Sequence, residues 1–201
     1  MAKGPTYRVP YRRRREGRTN YHQRRRLILS GLPRLVVRKS LKHMRVQVIK
    51  AEEKGDVVIA SATSEELRGK YGWQAPCGNI PAAYLTGLIC GFRAKAKGVN
   101  KAVLDVGLHK PSRGSRVFAA LKGAVDSGIE IPHDESLLPD ESVIMGENIK
   151  NYAELLSSNP ELYKLKFSQY LSRGLSPENL TDYFQNVKEK IISSFSVGEK
   201  N

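Results

Sequence analysis

Arg34-Leu35-Val36-Val37-Arg38-Lys39-Ser40-Leu41-Lys42-His43-Met44-Arg45-Val46-Gln47-Val48 is the stretch that decides the fold. Its first half is a β-rich run, and Ser40-Leu41-Lys42 reads as a turn. Met44, Val46 and Val48 then alternate with Arg45 and Gln47, the period of a strand with one buried and one polar face. Glu53-Lys54-Gly55-Asp56 is a second turn, and Val57-Val58-Ile59-Ala60-Ser61-Ala62 a third strand. Strands this close in sequence predict an antiparallel meander.

Towards the carboxyl end the period changes. Ser64-Glu65-Glu66-Leu67 opens a short helix at most, and residues 71–78 read as a loop. Asn79 is an N-cap with Pro81 in the first turn, and Ala83, Tyr84, Leu88 and Phe92 share one face of a helix that ends at Gly98. Residues 103–107 form a compact apolar strand. Val117, Ala120, Leu121, Ala124 and Val125 mark a helix stopped by Gly128. Together these predict an α/β fold: a mixed, largely antiparallel sheet of about four strands with helices packed on it. After Pro132 an acidic linker leads to two or three narrow-striped helices, starting near Gly146, at Asn159-Pro160 and at Ser176-Pro177. The last carries Leu180, Tyr183, Phe184, Val187 and Ile191. Stripes this narrow need the core or a partner to cover them.

Towards the amino end the chain is governed by charge. The 201 residues carry a net +14. Fifteen basic residues precede position 46 against one acid, Glu16, so the remainder is neutral. The expected organisation is a basic, extended arm over residues 1–30, a mixed α/β core over 31–132, and a linker with helical extension over 133–201. A basic segment on a neutral globule is the footprint of a polyanion partner.

The arm contains Pro5, Pro10, Gly4 and Gly17 and no Leu, Ile or Phe before residue 27, so it lacks the apolar face that a membrane surface requires. It prefers Arg to Lys and interleaves Tyr7, Tyr11 and Tyr21. Guanidinium forks grip phosphates and tyrosines offer stacking faces, which favours nucleic acid. No stretch has the roughly 20 apolar residues of a membrane span, nor a secretory apolar run. Cys77 and Cys90 suggest no metal and no disulfide, which suits a reducing cytosol.

Catalytic and metal signatures are weak. His22, His43, His109 and His133 do not pair at ligand spacing. Gly69-Lys70-Tyr71 fails as a phosphate-binding loop, since Ser64 and Tyr71 replace its required residues. Asp105 ends a strand before a loop with His109, Lys110, Ser112, Arg113, Ser115 and Arg116. That loop reads as a second phosphate grip, a solvated loop, or a catalytic site lacking a second acid. Arg38, Lys39, Lys42, His43 and Arg45 are either a solvated strand edge or part of the RNA surface. Trp73 either stacks on a base or packs under its loop. Neither cofactor nor small-molecule substrate is expected.

Thr19-Asn20-Tyr21-His22-Gln23-Arg24-Arg25-Arg26-Leu27, Lys39-Ser40-Leu41-Lys42-His43-Met44 and the run from Lys110 to Ala124 resemble a universal family of large-subunit ribosomal proteins. These are the 5S-rRNA-binding proteins numbered eighteen in bacteria and archaea and five in eukaryotes. The likeness spans about Tyr11 to Pro132, and residues 71–81 with the helical tail resemble the archaeal type. It implies a non-catalytic, cytoplasmic protein that attaches 5S rRNA to 23S rRNA at the central protuberance, beside neighbouring ribosomal proteins that include the other 5S-binding protein. The residues so implicated are Arg12, Arg13, Arg14, Arg15, Arg18, Asn20, Tyr21, His22, Arg24, Arg25 and Arg26 of the arm. In the core they are Lys39, Ser40, Lys42, His43, Arg45, His109, Lys110, Arg113, Ser115 and Arg116. An arm disordered when free and ordered on RNA is a further expectation. The alternatives are a nucleic-acid-modifying enzyme using Asp105 and a general polyanion binder without shape preference.

Overall fold

Strands β1 (Arg34–Lys39), β2 (Met44–Glu52) and β3 (Gly55–Thr63) form the expected meander. β4 (Val103–Asp105) adds parallel to β1, giving the order β3-β2-β1-β4. This computed structural model describes residues 4–196. Lys3 of the arm and positions 197–201 of the tail lie outside the described residues.

The register explains the two faces of the sheet. Leu35 pairs with Val48 and Val37 with Val46, and all four are fully buried towards the helices. The intervening pairs, Val36 with Gln47 and Arg38 with Arg45, project to the opposite face. A register shift between Val48 and Ile49 separates the well-paired end of β2 from its exposed end.

Ten α-helices accompany the sheet among the described residues. Within the arm lie α1 (Arg12–Arg15) and α2 (Tyr21–Leu29), and α3 (Glu66–Tyr71) follows β3. The core helices are α4 (Ile80–Lys95) and α5 (Arg116–Asp126). The extension holds α6 (Glu141–Met145), α7 (Glu147–Leu156), α8 (Pro160–Lys166), α9 (Ser168–Leu171) and α10 (Leu180–Ser196). Asn79 caps α4 through a 2.9 Å bond from the Ala82 amide, as its sequence predicts.

α4 is buried nearly all round from Pro81 to Gly91, rather than along one stripe. Its small residues are the reason. A Cβ on Gly87 would meet the Ala120 carbonyl oxygen at 2.0 Å, and one on Gly123 would meet the Tyr84 carbonyl oxygen at 2.1 Å. α4 and α5 therefore touch backbone to backbone, a distance that only glycine permits.

The extension packs back on this core. Leu180, Phe184, Val187 and Ile191 of α10 are buried, Phe184 lies 5.8 Å from the Tyr84 ring, and Phe195 stacks on Phe92 at 5.2 Å. Each such side chain contributes roughly 1.5–3 kcal/mol by leaving water. Trp73 is buried, with its ring 5.5 Å from Tyr183 and its indole N–H donating to Pro76, so it packs under its loop.

The arm corrects the expectation of an extended chain. Residues 12–15 and 21–29 are helical. The Asn20 side chain accepts from the amides of His22 and Gln23, satisfying two of the four free donors at the start of α2. The Arg24–Asp56 ion pair then holds the helix, which has no buried residue of its own.

Candidate nucleic-acid interface

The open face of the sheet carries buried charge where an apolar layer is usual. Arg34 and Arg38 on β1 flank Asp105 on β4, because Asp105 pairs in register with Val36 between them. Arg34 Nη1 donates to Asp105 Oδ2 at 2.9 Å, and Arg38 Nη2 to Oδ1 at 2.9 Å. The Gly107 amide completes the shell of Oδ1 at 2.9 Å. The Asp105 carboxylate is thus enclosed by donors that make it an anchor, not a general base aimed at a substrate.

The same ladder reaches the arm. Arg34 Nη2 donates to Asp56 Oδ2 at 2.8 Å, and Arg24 of α2 grips both oxygens of Asp56 at 2.8 and 2.9 Å. The run Arg38–Asp105–Arg34–Asp56–Arg24 fastens an arm helix to the sheet by charge. Partial burial tends to raise the Asp56 carboxyl, but the hydrogen bonds from Arg24 and Arg34 outweigh it and hold the group below the ordinary carboxylate range. Between α2 and the sheet lies a cleft of about 610 Å³, with Arg13, Arg18 and His109 on its walls.

The turn between β1 and β2 and the loop before α5 meet at the neighbouring edge. Ser40 Oγ donates to the His43 carbonyl and accepts from its amide, both at 3.0 Å, so the turn is rigid. Arg116 Nη1 donates to the Gly78 carbonyl at 2.7 Å and to the Ser40 carbonyl at 3.3 Å. The Lys39 amide approaches His109 Nε2 at 3.4 Å. Burial first, then the positive charges of Lys39, Arg38 and Arg116, push the His109 imidazole below its ordinary value.

The implicated residues therefore divide by duty. Arg12 to Arg15, Arg18, His22, Arg25, Arg26, Lys42, Arg45, Lys110 and Arg113 are exposed. Of these, Arg12 and Arg18 reach Glu16, and Arg13 donates to Thr19 at 2.8 Å. Tyr21 packs its ring on Tyr11 at 5.1 Å. Asn20, Arg24, Ser40 and Arg116 hold the backbone or the arm in place. Lys39, His43 and His109 are half-buried at the turn. Ser115 is the N-cap of α5, with its Oγ buried and without a partner.

Sequence reasoning did not single out Arg34 as a site residue or Asp56 as the arm's anchor. Their partners lie 22 to 71 positions away, beyond any local pattern. Among the described residues no group of three or more His, Cys, Asp or Glu side chains is placed to hold a metal ion, and no helix is long and apolar enough to cross a membrane.

Known proteins share this arrangement's sequence. A family model described as ribosomal large subunit proteins 60S L5 and 50S L18 matches residues 5–100 and 93–134, more than half of the chain. The large ribosomal subunit protein uL18 of Caldivirga maquilingensis is 52% identical over 200 residues, covering 99% of this chain and 97% of that protein. Its counterpart in Thermofilum pendens is 55% identical over 192 residues, covering 95% of this chain and 97% of its own length.

Proposed function

The chain belongs to the family of large-subunit ribosomal proteins that these matches define, and from that premise we propose that it binds 5S rRNA and attaches it to 23S rRNA at the central protuberance. In this reading its work is mechanical and it catalyses nothing. It acts in the cytoplasm, within the large subunit, beside other ribosomal proteins that include the second 5S-binding protein. Residues 1–30 act as the RNA-binding arm, 31–132 as the core that positions it, and 133–201 as linker and brace.

One observation carries the proposal. Three basic segments distant in sequence are brought to adjoining edges of one sheet: the arm through Arg24 and Asp56, the β1–β2 turn through Ser40, and the loop before α5 through Arg116. Exposed arginines on the arm neutralise phosphates, while the rigid turn and loop fix the direction of approach. Recognition of RNA shape follows from holding several such groups at fixed separations.

The test is a titration of the full chain with 5S rRNA across a salt series, with tRNA and duplex DNA as competitors. The proposal expects tight binding that resists both competitors, and a steep salt slope that falls when residues 1–26 are removed. Equal affinity for all three nucleic acids would contradict it and leave a general polyanion binder.

A further inference from the structure

A second cleft lies where the C-terminal extension meets the β1–β2 turn. It encloses about 560 Å³, and its walls include Lys42 and His43 of the turn, Arg68 of α3, and Gln169 and Arg173 of the extension. The two clefts differ in how their cations are paired. In the first, Asp56 and Asp105 form ion pairs with Arg24, Arg34 and Arg38. No acidic side chain lines the second. Among the described residues no ion pair joins Lys42, Arg68 or Arg173 to a carboxylate.

Cations gathered in a concave site without counter-charge repel one another, and an anion in the site relieves that repulsion. We propose that this cleft holds a second sugar–phosphate strand of the RNA, so that the C-terminal extension contacts RNA through Arg173 and Gln169. The inference rests on the RNA-binding reading above. Three features favour an RNA strand over an acidic peptide. The cleft shares the rigid turn with the proposed RNA face, so one strand leads into the other. Arg68 and Arg173 provide planar donor forks suited to phosphate oxygens. Leu41, at the rim, is 94% exposed on a turn whose backbone is fixed by four donors, which places an apolar edge where a ribose or base would lie.

The site also gives the extension a reason to be rigidly seated. Arg173 Nη1 donates to the Gln74 carbonyl at 3.2 Å, and the Tyr170 hydroxyl accepts from Asn79 Nδ2 at 3.4 Å. These bonds fix the height of Arg173 above the turn.

The experiment uses the full chain and 5S rRNA, with the large-subunit rRNA as a second probe, each across a salt series. A variant with Arg68→Ala and Arg173→Ala is compared with wild type and with an arm variant, Arg13→Ala, Arg14→Ala and Arg15→Ala. The expected result is a loss of about tenfold in affinity for at least one RNA, with a slope shallower by about 1.5, as two lost phosphate contacts require. Arg68→Lys with Arg173→Lys, which keeps the charge, retains most of the slope and separates charge from folding. Unchanged affinity and slope for both RNAs in the alanine variant would overturn the inference and turn attention to an acidic protein segment. If wild type shows no preference for 5S rRNA, the proposed function fails. The cleft is still judged by the slope its variant gives on the same RNAs.

Discussion

The two ends of the chain are both helical appendages on one core, and they are fastened by opposite means. The arm docks through Arg24 on Asp56, and α2 has no buried residue of its own. The extension docks through Leu180, Phe184, Val187 and Ile191, and no ion pair ties it to the core among the described residues. Charge attachment is screened by salt and exchangeable for another polyanion, whereas apolar burial is neither. On the proposed RNA-binding reading, the protein gains from an arm that can change partners on a base that cannot.

Breaking the apolar side should cost most. Phe184→Ala leaves a cavity beneath Tyr84 and is expected to lower stability by about 3–5 kcal/mol, read as a lower denaturant midpoint with little dependence on salt. A variant whose loss disappears in high salt would contradict the contrast. Asp56→Asn comes next. It frees Arg24 and leaves Arg34 with Asp105 alone, so we expect a loss of about 1–2 kcal/mol, less than the ~3–5 of a fully buried pair because Asp56 remains 29% exposed. The sign of its pH dependence follows from the depressed carboxyl. The contribution is complete above the ordinary carboxylate value of 3.8 and is lost as the pH falls through the lower value of the folded state. The gap in thermal midpoint between wild type and Asp56→Asn should therefore close only at acidic pH.

Smaller effects sharpen the division among arginines. Arg14→Ala touches nothing structural, and stability should stay within about 0.5 kcal/mol of wild type. Its salt slope on 5S rRNA should fall by about 0.7–0.9. The smallest signal is His109, depressed by burial and by the cations around it. A phosphate nearby opposes those cations, so its imidazole pKa, followed by NMR, should rise when RNA binds; no movement would remove this loop from the interface.

Much of this architecture was legible from residue patterns. The alternation of Met44, Val46 and Val48 and the Asn79-to-Gly98 punctuation gave the meander and α4, because those signals are local. The stripe from Leu180 to Ile191 identified α10. The short α6 and α9 offer too few residues for a period to register. Helix α2 was missed although its signal was present: Asn20 followed by Gln23 at the third helical position is a capping pattern. The arm was read as extended, and a pair across 32 positions, which no local pattern reveals, holds the helix to the sheet. The basic segments of the site were legible as charge. Which arginines stay exposed and which hold the arm was not, since that depends on Asp56 and Asp105 reaching the same sheet face.

Backbone amide exchange of the full chain, with and without 5S rRNA, tests the central claim most directly. The account predicts strong protection of α10 in both states, weak protection of α2 in the free protein, and a marked gain on RNA binding in residues 12–29, 39–45 and 109–116. Unchanged exchange in those three segments, with RNA demonstrably bound, would contradict it.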